Sequence, residues 1–263
     1  MDSHFQVVVL NQTLNPEQVI YQAMHQDYSS HFVTPDGRIP DNHGEIIVKQ
    51  LLEGNRGHYG PLEHPQISFG AGYFPHSVMQ QARTHRVGIS FDVQSFRYTG
   101  EKIAQLGEKL LQEKHGEVLP SETEGSLHSP LADALESLFY IPQTVIDAKA
   151  KTRQGIKSIA ADALPIILEQ YRQQAVAYYR LVHECGLPYE DARNVIGYGI
   201  RQHFVVSFNC RSLMHFLDLR AKDDAQLEIR QMCDLILPHF QEWCPHIAQW
   251  YVKNRWAKAR LAP

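Results

Sequence analysis

The sequence predicts an α+β chain whose C-terminal half is mostly helical. Two observations carry that expectation. Residues 5–10, 66–74 and 203–209 are short runs rich in β-branched and aromatic side chains, the composition of strands. Residues 162–185 instead place Leu164, Ile167, Leu168, Tyr171, Ala175, Tyr178 and Val182 at helical spacing, and further helical patterns follow Asn209.

Taken in order, the strand at 5–10 precedes Asn15, Pro16 and Glu17, a helix start with its cap ahead of the proline, and that helix runs to about Gln26. Residues 41–52 carry Ile46, Ile47, Leu51 and Leu52 at helical spacing, and Gly54 supplies the stop. GHYGPLEHP, from Gly57, is a loop by its glycines and prolines. After the strand at 66–74, Pro75 stands at the first turn of a helix expected to last to Arg86. Beyond Gly100 a surface helix and a flexible loop around SETEGSLHS are expected, an excursion from the core that ends near Leu135. Gly186 and Pro188 close the 162–185 helix. The next begins at PYEDARNVI, where Glu190 and Asp191 face the positive end of the helix dipole. The strand at 203–209 leads into a helix over 211–220, and two more helices are expected to meet near Pro238. No repeat and no separate second domain is evident, so the expectation is one domain over 1–263 with an insertion at 101–137.

At 43% apolar and 21% charged residues and a formal net charge of −4, the 263-residue chain has the composition of a soluble globular protein. Its longest apolar run, around Val7 to Leu10, is too short to span a bilayer, and MDSHFQ lacks the basic flank and apolar stretch of a secretory signal. A cytoplasmic protein without a membrane partner is expected. The acidic balance argues against a nucleic-acid partner, which selects for basic domains. Cys185, Cys210, Cys233 and Cys244 form no C-x-x-C pair, so buried, reduced thiols are expected. His58 and His64 lack the spacing of a helical zinc pair, and no metal is expected. GAG at 70–72 and GYG at 197–199 lack the remaining glycines of a dinucleotide fingerprint.

The stretch QARTHRVGISFDVQSFRYTG, from Gln81 to Gly100, sets three arginines, a histidine and five hydroxyl side chains against the single acid Asp92. A second arginine-rich region runs from Arg193 to Arg220. Guanidinium groups match phosphate oxygens two at a time, so both regions suit a small phosphorylated ligand. Ser95 and Arg97, two apart on an extended segment, would share one face. The alternative is that these arginines pair with the 29 acids of the surface. Asn209 is open between two roles, a helix cap and a ligand contact.

Thr84-His85-Arg86, eight residues, then Ser95-Phe96-Arg97-Tyr98 resembles the R-H-R and S-x-R-Y signature of the flavin-dependent thymidylate synthases, a family unrelated to the cysteine-dependent thymidylate synthase. GHYGPLEH at 57–64, FYIP at 139–142, NCRSLMHFLDLR at 209–220 and AQLEIRQ at 225–231 are similar to further family segments, and the resemblance covers most of the chain outside about 101–137. Thr84 stands where the signature has its first arginine, His215 where asparagine is common, and Val93 or Gln94 where an acid often precedes the serine.

The resemblance implies a mostly antiparallel twisted sheet flanked by helices, and a homotetramer whose active sites are shared between subunits. It implies synthesis of dTMP from dUMP, with 5,10-methylenetetrahydrofolate as carbon donor, FAD as cofactor and NADPH as reductant. It assigns Gln81, Gln94, Ser95, Phe96, Arg97, Arg193 and Arg220 to dUMP, with Arg220 catalytic through polarisation of the uracil. His58, Glu63, Thr84, His85, Arg86, Asn209, Arg211 and His215 are assigned to FAD, His58 and Glu63 at its isoalloxazine or folate end. A noncatalytic nucleotide-binding or regulatory protein of the same fold is the alternative.

Overall fold

The computed structural model of the protein describes residues 1–34, 37–55, 57–115, 130–152 and 154–258. In chain order the elements are β1 (Gln6–Gln12), α1 (Pro16–Gln26), α2 (His43–Ile47), β2 (Gln66–Pro75), α3 (His76–Ala82) and β3 (Ile89–Val93). Next come α4 (Phe96–Thr99), α5 (Glu101–His115), α6 (Pro130–Leu138), α7 (Gln143–Ile146), β4 (Lys149–Thr152) and β5 (Gly155–Ser158). The remainder is α8 (Ala163–Tyr179), α9 (Tyr189–Ala192), β6 (Arg201–Asn209), α10 (Cys210–Arg220), α11 (Leu227–Trp243) and α12 (Pro245–Asn254). The chain divides into a sheet unit, Phe5–Gly72, Gln80–Asp92 and Phe204–Pro263, and a helical unit, Met1–His4, Tyr73–Met79 and Val93–His203.

The sheet unit is built on a four-stranded antiparallel sheet of order β1-β2-β6-β3, as the α+β expectation requires. Val9 pairs with Phe69 and Asn11 with Ser68, so Leu10 is the extra residue of a bulge in the edge strand. Val7, Ile67, Phe69, Ala71, Val206 and Phe208 are buried, the alternation expected of strands with one covered face. Phe208 lies 6.2 Å from Phe69 and 5.2 Å from Phe216 of α10, which joins the sheet to the C-terminal helices. Removing side chains of that size from water is worth about 1.5–3 kcal/mol each.

Two helix boundaries depart from expectation. The C-terminal helices do not meet at Pro238, because α11 continues through it and α12 begins at Pro245. Ile229, Met232, Ile236, Phe240 and Trp243 keep one stripe buried on both sides of Pro238, and their packing offsets the roughly 3 kcal/mol that an interior proline costs. Pro245, at the first turn of α12, gives up no helical hydrogen bond. α3 stops at Ala82 rather than Arg86, and Thr84 and His85 continue as tight turns onto the Gln81 and Ala82 carbonyls.

In the helical unit α5 packs along α8. Ile103, Ala104, Leu106 and Leu110 enter a core with Tyr171, Ala175, Tyr178 and Phe139, so the expected surface helix buries a full face. Gly107 permits the close crossing, since a Cβ there would come within 2.2 Å of the Ala175 carbonyl oxygen. The flexible loop expected after this helix, residues 116–129, lies outside the described residues. The β4–β5 hairpin was not expected, because KAKT and GIKS lack the alternating apolar residues that reveal a strand. Cys210, Cys233 and Cys244 are buried free thiols as expected, but Cys185 is exposed, because it lies just past the end of the helical segment that follows α8. Arg201 is a structural arginine. Its buried guanidinium donates to the Asp2 carboxylate at 2.7 Å and to the Glu136 and Tyr73 carbonyls at 2.8 and 2.9 Å.

Candidate functional site

Arg220, the last residue of α10, is held along one edge of its guanidinium. Nε donates to His85 Nε2 at 2.9 Å, and Nη2 donates to the Gln81 carbonyl at 3.1 Å and to Thr84 Oγ1 at 2.8 Å. The Thr84 hydroxyl donates in turn to the Gln81 carbonyl at 2.8 Å. The turn that ends α3 thus supplies every one of these acceptors, and all are neutral. Burial pushes the His85 imidazole down to about 4, with the charge of Arg220 and then His215 adding to the effect. His85 is therefore neutral at pH 7, its proton on Nδ1 and its Nε2 lone pair turned to Arg220. Burial also draws Arg220 below its ordinary value without discharging it.

At the N-terminal end of α10, Asn209 Oδ1 accepts from the Ser212 amide at 2.7 Å, so the capping role left open in the sequence is realised. The Gly88 carbonyl accepts from Ser212 Oγ at 2.7 Å and from the Asn209 amide at 3.3 Å. Gly88 has φ +69°, and a Cβ on it would lie 2.4 Å from Asn209 Nδ2. No other residue fits without moving the cap.

Glu63, Val87, Asn209, Arg211, Ser212 and His215 line a cavity of about 200 Å³ in the sheet unit. Arg211 donates to Glu63 at 2.6 Å and its guanidinium lies 5.7 Å from the centre of the Tyr59 ring. Burial lowers the His215 pKa, and the charges of Arg255 and Arg211 add to it, so a neutral ring faces the cavity. The His215 ring is 5.7 Å from that of His85, which links the cavity to the Arg220 cluster. These residues fit part of a flavin cofactor: a cation, an amide Nδ2 not used by the cap, a neutral imidazole and the exposed apolar Val87. The volume is below the roughly 300–1,000 Å³ of complete ligand pockets, so this cavity suits one end of FAD.

Four of the residues expected at FAD thus line one cavity, and Thr84 and His85 belong to the Arg220 cluster. The His58 side chain lines neither. Its Nε2 meets Asp27 Oδ2 at 2.6 Å, with both side chains half exposed. Arg86 is exposed beyond the turn. Of the residues expected at dUMP, Gln81 sits with Arg220 and its side-chain amide also bonds Gln226.

The rest of the dUMP set lies in the helical unit. Gln94 pairs by main chain and side chain with the backbone of His203, at 2.9 and 3.2 Å. Ser95 and Arg97 do not share an extended segment, because Ser95 is the N-cap of α4 and Arg97 lies in its first turn. The compact turn still brings Arg97 Nε to Ser95 Oγ at 3.4 Å. α4 packs against α9, whose last turn leads into Arg193, and Phe96 anchors α4 to the core. Arg97 and Arg193 are exposed.

One supporting cluster escaped the sequence reading. Asp218, on α10 between His215 and Arg220, accepts from Tyr251 at 3.1 Å and is gripped by both Nε and Nη2 of Arg255. Burial pushes its carboxyl up to about 6 against the pull of Arg255 and Tyr251. An acid beside the apolar stripe Leu213, Phe216 and Leu217 was the signal available for it. Among the described residues no group of three His, Cys, Asp or Glu side chains could hold a metal ion, and no helix is long and apolar enough to cross a membrane.

Residues 8–246 match the family model described as Thy1, thymidylate synthase complementing protein. A flavin-dependent thymidylate synthase of Halobacterium salinarum is 34% identical, the match covering 98% of this chain and 99% of that protein. The chain belongs to the flavin-dependent thymidylate synthase family. A second family member, from Haloarcula marismortui, is 31% identical over the same shares of the two chains. Two solved structures are similar in fold. Thymidylate synthase X of Helicobacter pylori, crystallised with FAD and dUMP, is 17% identical with a TM-score of 0.61, covering 89% of this chain and 92% of that one. The UMP/dUMP methylase PolB of Streptomyces cacaoi, bound with 5-Br dUMP, is also 17% identical, with a TM-score of 0.70 and coverage of 99% and 98%.

Proposed function

We propose that the protein methylates dUMP to dTMP with 5,10-methylenetetrahydrofolate as carbon donor, NADPH as reductant and FAD as bound cofactor. The observation that carries this reading is the Arg220 cluster, a half-buried cation whose protein partners are all neutral. A guanidinium so placed stabilises negative charge that develops on a ligand oxygen, which is what attack on a uracil ring requires. When bound, FAD supplies the hydride chemistry.

Gln81 and Arg220, with Gln94, Ser95, Phe96, Arg97 and Arg193, are the residues we assign to dUMP. Exposed Arg97 and Arg193 are the guanidiniums available for its phosphate. Glu63, Asn209, Arg211 and His215 hold one end of FAD, with His58, His85 and Arg86 completing the cofactor-facing set, whereas the Thr84 hydroxyl, expected at FAD, turns to Arg220. The chain acts in the cytoplasm as a homotetramer whose subunits complete one another's sites, in keeping with a cavity too small for the whole cofactor. A cysteine nucleophile does not suit this site, since Cys233, the thiol electrostatically linked to Arg220, is fully buried, and burial pushes its pKa well up and keeps it a neutral thiol.

Arg220→Ala tests the reading. Loss of one oriented donor lowers kcat by roughly 100- to 1,000-fold, while the flavin absorbance of the purified protein is retained. A variant that loses FAD but binds dUMP normally would overturn the assignment of Arg220.

A further inference from the structure

We infer that Thr84 is a positioning residue for Arg220, an inference that rests on the function proposed above. A guanidinium has five N–H donors. In Arg220 the one on Nε is taken by His85, and Nη2 meets both the Gln81 carbonyl and Thr84 Oγ1. The two N–H groups of Nη1 have no protein partner among the described residues. The bound edge fixes the plane of the group, and the free edge is presented to a ligand.

Thr84 is the side chain that makes this orientation definite. Its hydroxyl proton is committed to the Gln81 carbonyl at 2.8 Å, so an oxygen lone pair faces Arg220 Nη2 at 2.8 Å. Hydroxyl and carbonyl together form a two-point acceptor for one nitrogen. An arginine at this position would offer only donors and a second positive charge. The change from arginine to threonine is therefore coherent with this chain's own geometry: position 84 holds the catalytic cation and does not compete with it.

The test uses FAD-loaded enzyme with Thr84→Val, which keeps the shape and removes the acceptor, and Thr84→Ser, which restores it. We expect Thr84→Val to lower kcat and the calorimetrically measured affinity for dUMP by roughly ten- to a hundredfold, with FAD content and thermal midpoint unchanged. Thr84→Ser recovers most of both. Unchanged kcat and dUMP affinity in Thr84→Val would overturn the inference, as would loss of FAD with normal turnover per bound flavin, which makes Thr84 a cofactor contact instead. A wild-type protein that binds neither FAD nor dUMP overturns the proposed function, and this inference falls with it.

Discussion

Acidification should unlock the Arg220 cluster through His85. The buried imidazole titrates at about 4 rather than the ordinary 6.5. Because its folded-state pKa is depressed, the unfolded chain binds a proton that the folded chain refuses. The stability due to the neutral ring is present above about pH 6.5 and is lost as the pH falls toward 4. Each tenfold difference in proton affinity is about 1.4 kcal/mol, so moving from about pH 7 to about pH 4.5 removes about 2.5 kcal/mol. His85→Gln isolates this contribution, since glutamine keeps an acceptor for Arg220 Nε and cannot titrate. Asp218 shifts the opposite way, with stability present at low pH and lost as the pH rises through about 6, but it is common to both proteins and cancels. Trp243, Trp250 and Trp256 all lie in the sheet unit, so tryptophan fluorescence during urea unfolding reads the right part of the molecule. The stability gap between wild type and His85→Gln should move by about 2.5 kcal/mol in the variant's favour on acidification. A gap that is the same at both pH values would refute a buried, neutral His85.

Other substitutions separate structure from site. Arg201→Ala strands the Asp2 carboxylate beside a void and should destabilise the fold by about 3–5 kcal/mol in chemical denaturation, without a selective loss of FAD. Gly88→Ala combines a left-handed backbone with a clash on Asn209, and should cost roughly 1–3 kcal/mol and lower FAD occupancy in absorbance spectra. Arg211→Ala breaks a half-exposed pair with Glu63, so its melting curve should move by no more than about 1 kcal/mol while FAD binding in a fluorescence titration weakens clearly.

The sequence made the long α8 and the aromatic strands legible because their apolar residues recur at one period along one element. Periodicity failed where the stabilising contacts are not apolar or not local. The β4–β5 hairpin is exposed on nearly every residue and so leaves no pattern. Pro238 looked like a helix end because propensity is local, whereas the stripe that carries α11 past it depends on tertiary packing. The site divided in the same way. Contiguous motifs pointed to Asn209, Arg211 and His215, which share one short helix boundary and one cavity. Arg220 and Thr84 lie far apart in sequence, and no spacing rule announces that one accepts a hydrogen bond from the other. Arg97 reads as part of an extended segment because α4 is only four residues long and Ser95 at its N-cap position makes no side-chain cap bond, so neither periodicity nor a capping box marks the turn.

The proposed function requires this chain to bind FAD and use it to make dTMP. Its most direct test is the visible absorbance of the purified protein, followed anaerobically as NADPH, dUMP and methylenetetrahydrofolate are added in turn. Flavin bands should bleach with NADPH and return as dTMP is formed. A protein that stays colourless after incubation with FAD, or a flavin that is reduced without any dTMP appearing, would contradict it.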